Sequence, residues 1–286
     1  EQMNITQINI SMNNTNNDDV SAAKLYNDTD RSGSINAGDF LIATATKTGS
    51  LLDVSGISGQ VYIAGSGGCS RETLHGAAGS IEISSRNGFA LDGDLNGNAT
   101  GSGAGGTLML DISGRTETPD GTNDLPNGSR VLTVTQNRIN RADGLQAGGA
   151  LDGIVNPGVD PVDPNDDIGT GAISAEQIAA GGFDRVNLAV NFFNPEDRIV
   201  LPGGLDLNVP TSLTLNTGLL EVTGAGTARV SASNVTLTSV TGASAPVSGD
   251  ATLEVVADFI DLSSNVTVTG VTTTLLDSRM DIRGRG

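Results

Sequence analysis

From Leu205 onward the chain repeats one pattern: "LDLNV", "SLTLN", "LLEVTG", "ARVSA", "NVTLTS", "ATLEVVA", "FIDLSS" and "VTVTG". In each run Val, Leu, Ile or Phe alternates with Thr, Ser, Asn, Asp or Glu, which is the period of a strand with one buried face and one wet face. The breaks are short, contain Gly, Asn, Ser or Thr, and rarely carry the Asn-Gly or Asp-Gly pair that closes a two-residue hairpin. Comparable segments ("SLTLN", "ARVSA", "ATLEV") return after roughly 17 to 23 residues, which marks a repeating architecture. The expectation is an all-β chain, a parallel β-helix whose stacked turns line up aliphatic side chains in continuous ladders, because one turn cannot bury its inward residues alone.

The first half carries the same alternation in "FLIATAT", "LLDVSG", "QVYIAG", "GSIEISS", "FALDGDL", "GGTLMLDISG" and "SRVLTVTQ". The glycine-rich stretches "AGSGGCSRETLHGAAG" and "NGNATGSGAGG" between them read as loops pushed out of individual turns. Residues 140–173 lose the period and gather Gly, Pro and Asp, so they read as a long surface loop or linker. It divides the chain into 1–139, the 140–173 insert and 174–286. At "SAEQIAAGG" Ser174 sits three residues before Gln177, the spacing of a capping box, and Gly181 and Gly182 follow an Ala-rich turn. One short helix near 174–180 is expected there, leading back into strands at "FDRVNLAV".

Composition narrows the function. Hydrophobic residues are 37% of the 286 but aromatics only 3%, with no Trp, so the core must be built from small aliphatics. The formal net charge is -18 and the only lysines are Lys24 and Lys47, which argues against nucleic acid and anionic membrane surfaces as partners. No apolar run is long enough for a membrane-inserted helix, and the first residues, "EQMNITQINI", lack the basic and apolar regions of a signal peptide. A single cysteine, Cys69, excludes an internal disulfide, so stability rests on packing or on ions.

The stretch "GAAGSIEISSRNGFALDGDLNGNATGSGAGGTLMLDISG", with "AGGFDRVNLAV" and "DRIVLPGGLDLNVPTSLTLNTGLLEVTG" beyond the insert, resembles the repeat region of filamentous haemagglutinin-type exoproteins of the two-partner secretion family. The resemblance spans about residues 50 to 280 and rests on degenerate structural motifs. It implies a right-handed parallel β-helix, secreted or held at the bacterial cell surface, exported through an outer-membrane transporter and used as an adhesin. The implied partners are cell-surface or extracellular-matrix components, protein or glycan. The family's secretion domain carries Asn-Pro-Asn motifs, whereas here the nearest strings are "NPGV" and "NPED". An interior or C-terminal piece of such a rod is therefore expected.

One cluster stands out chemically. Counting a twelve-residue calcium loop from Asp28 places Asp28, Asp30, Ser32, Ser34, Asn36 and Asp39 at positions 1, 3, 5, 7, 9 and 12. Gly33 falls at the sharp turn and Ile35 at the anchoring position. Calcium takes six to eight hard oxygens, and alternate positions on a wound loop aim them at one point. The loop resembles those of EF-hands and, with Asp at the last place, of dockerins. The plain alternative is an acidic surface turn. Upstream, "VSAAKLY" reads as a short helix, while "FLIATAT" downstream reads as a strand, and no second complete loop is present. A weaker metal pattern runs through Asp92, Asp94 and Asn96, but Gly103 occupies its twelfth place. The carboxylates Asp160, Asp163, Asp166 and Asp167 read as solvated.

Other chemistry is thin. Cys69 and the lone His75 lack an orienting third group, so no catalytic residues are assigned. Asp206, Glu221, Asp258 and Asp261 could serve a carbohydrate-active enzyme on the same scaffold. That alternative expects a groove lined by Asp with an Arg nearby. A further alternative is a subunit of a self-assembling extracellular filament or surface layer, because exposed terminal strands invite pairing and hence self-association. The Asn-x-Ser/Thr triplets at Asn4, Asn27, Asn234 and Asn265 follow from composition.

Overall fold

A computed structural model describes residues 7–12, 22–27, 40–46, 51–65, 68–85, 88–91, 93–112, 129–138, 169–190, 195–239 and 246–285. Strand dominates, and one six-residue helix is present among the described residues. In chain order the first strands are β1 (Gln7–Met12), β2 (Ala22–Asn27), β3 (Phe40–Thr46), β4 (Leu51–Asp53), β5 (Ser58–Gly65), β6 (Gly68–His75), β7 (Ser80–Ser85), β8 (Gly88–Ala90), β9 (Asp94–Asn96) and β10 (Gly106–Asp111). Next come β11 (Val131–Thr135), β12 (Thr170–Ser174), helix α1 (Ala175–Ala180), β13 (Phe183–Val190), β14 (Arg198–Pro202), β15 (Asp206–Asn208) and β16 (Ser212–Thr217). The last are β17 (Leu219–Thr223), β18 (Gly226–Thr238), β19 (Ala251–Ser263), β20 (Thr267–Thr269) and β21 (Val271–Arg285).

Two parallel sheets organise the chain. The larger follows the order β1-β7-β10-β13-β16-β18-β19-β21, with β15 also paired to β18. Its register turns alternation into ladders: Ile81, Leu108, Val186, Leu213, Val235 and Ile260 are successive partners, and so are Ile83, Leu110, Leu188, Leu215, Leu237 and Leu262. All but Leu262 are buried. From Leu213 to Ile282 one strand leads to the next in steps of roughly 22 to 25 residues, slightly longer than expected. The segments "SLTLN" and "ARVSA" are not equivalent repeats, because Ser212 pairs with Asn234 while Arg229 pairs with Asp206.

The smaller sheet runs β20-β17-β14-β11-β12-β8. Here the chain visits its neighbours out of order: β12 lies between β8 and β11, although β11 comes first in sequence. Gly171 is therefore stacked between Phe89 and Leu132, where a Cβ would meet the Phe89 ring and Ile112. The 140–173 stretch thus contributes a strand at its end rather than remaining loop throughout.

A third column of inward residues contains the helix. Leu52 and Leu95 are partners in β4 and β9, and Leu207, Val230, Val255 and Leu276 are partners in β15, β18, β19 and β21. Between these groups α1 contacts both β9 and β15 and buries Ile178. The capping box expected from sequence is present: the Ser174 hydroxyl accepts from the Gln177 N–H at 3.0 Å and Gln177 Oε1 accepts from the Ser174 N–H at 3.3 Å. Gly182, at φ +64, ends the helix in the left-handed region that glycine adopts without strain.

Two regions depart from this parallel pattern. β2 and β3 form an antiparallel pair, so residues 22–26 of the expected short helix at "VSAAKLY" are strand, stabilised by a partner that local propensity does not report. β5 and β6 form a second antiparallel pair with Gly65 opposite Gly68, so the glycine-rich excursion expected as loop is a hairpin.

Candidate functional site: surface groups around the stacked strands

The six oxygen donors Asp28, Asp30, Ser32, Ser34, Asn36 and Asp39 lie outside the described residues. Their frame is visible: Asn27 and Phe40 are register partners, so the segment is bounded by two antiparallel strands and not by the helices of an EF-hand. The donor set itself, three carboxylates with hydroxyl and amide oxygens, fits a hard cation.

The second pattern fares differently. Asp92 is also outside the described residues, while Asp94 and Asn96 lie on β9, paired in parallel with β4, and not on a wound loop. Arg138 donates to Asp94 at 2.6 Å, and Asn96 Oδ1 accepts from the Asn98 N–H and side-chain amide at 3.1 and 2.7 Å. Asp94 Oδ1 and Asn96 Oδ1 are thus engaged within the protein. Among the described residues no group of three or more His, Cys, Asp or Glu is placed to hold a metal ion.

Cys69 and His75 both belong to β6. Six residue steps of extended strand separate their backbones by about 20 Å, which removes the thiol–imidazole pair as a reacting unit. His75 is exposed and packs against Gly101 instead.

The four carboxylates weighed for hydrolysis are distributed over the stack. Glu221 meets Arg198 Nε at 2.7 Å, Asp258 meets Arg279 at 3.5 Å and Asp261 meets Arg285 at 3.3 Å. Arg229 and Glu254, direct register partners, approach to 3.4 Å. Each pair joins neighbouring strands along the stack. Exposed pairs of this kind contribute little individually, roughly 0 to 1 kcal/mol, so their arrangement serves register more than stability. Near the end of the stack Asp281 hydrogen-bonds Arg283 and raises its guanidinium pKa above the usual value. Asp206 and Asp258, however, share one surface groove with Arg229 and Arg279.

The hairpin of β5 and β6 carries exposed large side chains. Tyr62 is 72% exposed and stands opposite Arg71, with Gln60 opposite Thr73 in the same register. Ile57 and Leu74 are also exposed. The hairpin is held at its base: the Gly76 N–H donates to the Ile57 carbonyl at 2.8 Å, and Thr100 donates to the Gly76 carbonyl at 3.3 Å. Added Cβ atoms at Gly56 and at Gly103 would both strike the Gly76 carbonyl, so three backbones meet there because none carries a side chain. Sequence reasoning found β5 through "QVYIAG" but missed β6, because glycines interrupt the alternation that announces a strand.

Comparison with known protein families, curated proteins and solved structures finds no match to this chain.

Proposed function

We propose that the chain is a structural and adhesive rod segment of a secreted or cell-surface bacterial exoprotein of the filamentous haemagglutinin type. In this reading the parallel sheets and the helix-bridged column are faces of one right-handed parallel β-helix, the handedness following the general rule for parallel crossovers. The observation that carries it is the unbroken register from Ile81 to Ile260, in which every rung covers the one before. Such a column resists bending, and what projects from it meets the partner. The Tyr62 hairpin has the character of a contact element, since exposed aromatics beside arginine are typical of interface anchors. Calcium fixes the 28–39 segment. Export unfolded through an outer-membrane transporter suits a body without a disulfide.

The adhesive role is tested by coating beads with the full chain and measuring retention on epithelial cells and on extracellular matrix under flow. Retention above bare beads that falls when Tyr62→Ala and Leu74→Ser are introduced supports it. Retention equal to bare beads overturns it.

A carbohydrate-active enzyme on the same scaffold is the second reading. One observation favours it, the groove that Asp206 and Asp258 share with Arg229 and Arg279. Release of reducing ends from neutral or acidic glycans, abolished by Asp258→Asn, would establish it; no release under any condition would dismiss it.

A further inference from the structure

β18 leaves its pairing with β15 and takes up its pairing with β16 between Ser231 and Asn234. β19 and β21 show a register shift at the same level, between Ala257 and Phe259. At this level an open groove of about 350 Å³ crosses β15, β18, β19 and β21. Two hydroxyls are spent on holding its shape: Ser233 Oγ donates to the Pro210 carbonyl at 3.0 Å, and Ser278 Oγ donates to the Asp258 carbonyl at 2.8 Å.

The groove is polar and holds charges of both signs. Arg229 is matched by Glu254 and Arg279 by Asp258, and Asp206 adds a further carboxylate. In a chain of net charge -18 this leaves no surplus of positive charge for an anionic ligand. What it offers is a mixture of fixed donors and acceptors, guanidinium beside carboxylate and the Ser231 hydroxyl bonded to Asn208 Oδ1 at 3.1 Å. Only ligands rich in groups that both donate and accept use such a lining fully. Of its apolar lining Val209 and Ala257 are buried and Ala232 is half-buried, so a ligand meets mainly the polar groups.

We propose that this groove binds a neutral, linear oligosaccharide laid along the stack. Strand spacing supplies the repeat: neighbouring strands lie about 4.8 Å apart, close to the length of one pyranose unit, so successive sugars meet equivalent positions on successive strands. Four strands span roughly 14 Å, enough for three to four units. The inference deepens the adhesive reading by giving the rod's side a ligand class, but it rests only on the stacked strands and not on the hairpin.

The test is calorimetric titration of the full chain with cellotetraose, maltotetraose, mannotetraose, chitotetraose and, as the charged counterpart, tetragalacturonate. At least one neutral tetrasaccharide should bind with submillimolar Kd, changing less than about twofold between roughly 50 and 500 mM NaCl. Arg279→Ala and Asp206→Ala should each weaken it by about tenfold or more with unchanged melting temperature, since both side chains stand at the surface. Absence of neutral binding, preference for tetragalacturonate, or affinity surviving both substitutions would overturn the proposal. Failure of bead retention with tetrasaccharide binding intact would count against adhesion and leave the groove standing.

Discussion

The stack from Phe183 to Ser263 and the hairpin from Ser58 to His75 are both made of strands, yet they solve opposite problems. In the stack each inward residue is flanked along the ladder by others, and Leu188, Leu215 and Leu237 are almost wholly removed from water. Burying each such side chain contributes about 2 kcal/mol, and the contacts couple residues far apart in sequence. In the hairpin two antiparallel strands pair only with each other, and among the residues whose burial is described all but the half-buried Val61 are exposed. A two-stranded ribbon is marginal alone in water. It persists here through the glycine clamp at Gly56, Gly76 and Gly103. The difference separates roles: one region holds shape, and the other is free to change its surface chemistry without disturbing it.

Substitutions should divide along that line. Leu215→Asp places an unpaired carboxylate in the middle of a ladder and should abolish cooperative unfolding, while Leu215→Ala should cost about 3 kcal/mol by chemical denaturation. Next comes Gly270→Ala. Gly270 has φ +78 and a Cβ there would meet the Val222 carbonyl oxygen, so a loss of about 2 kcal/mol is expected. A smaller and ion-dependent effect should come from the N-terminal segment. Chelation should lower the melting temperature by a few degrees, and Asp28→Ala with Asp39→Ala should remove that sensitivity. Identical melting in chelator and in calcium would show that no ion is held there. Tyr62→Ala on the hairpin should change stability by less than about 0.5 kcal/mol; a loss comparable to that of Leu215→Ala would mean that the hairpin belongs to the core.

The same contrast governs what could be read beforehand. Alternation in "SLTLNT" announces β16, and the separate runs "ATLEVVA" and "FIDLSS" announce the two halves of β19 though not their joining into one strand, while Ser174 with Gln177 announces α1, because those signals are local. The return strand β6 of the hairpin was hidden by "AGSGGCS", whose glycines carry no polarity pattern. β2 looked helical because Ala22, Ala23 and Lys24 favour helix until β3 supplies a partner. The placement of β12 beneath β11 has no local signature, since either strand would satisfy the same aliphatic neighbours. The calcium-type donors were legible through spacing alone, and they fall outside the described residues. The groove was only half visible: Asp206 and Asp258 stand out as carboxylates, but their meeting with Arg229 and Arg279 depends on the register of four strands.

The account depends on that register, and a molecular ruler measures it. Glu82, Met109, Asn187, Thr214, Thr236 and Asp261 are successive partners on the outward face of the larger sheet. In a Cys69→Ser background, paired spin labels at Asp261 and at each of the others in turn should give distances that grow by about 4.8 Å per strand, reaching about 24 Å at Glu82. A distance that fails to grow from Thr214 to Asn187 to Met109 to Glu82 would contradict parallel stacking.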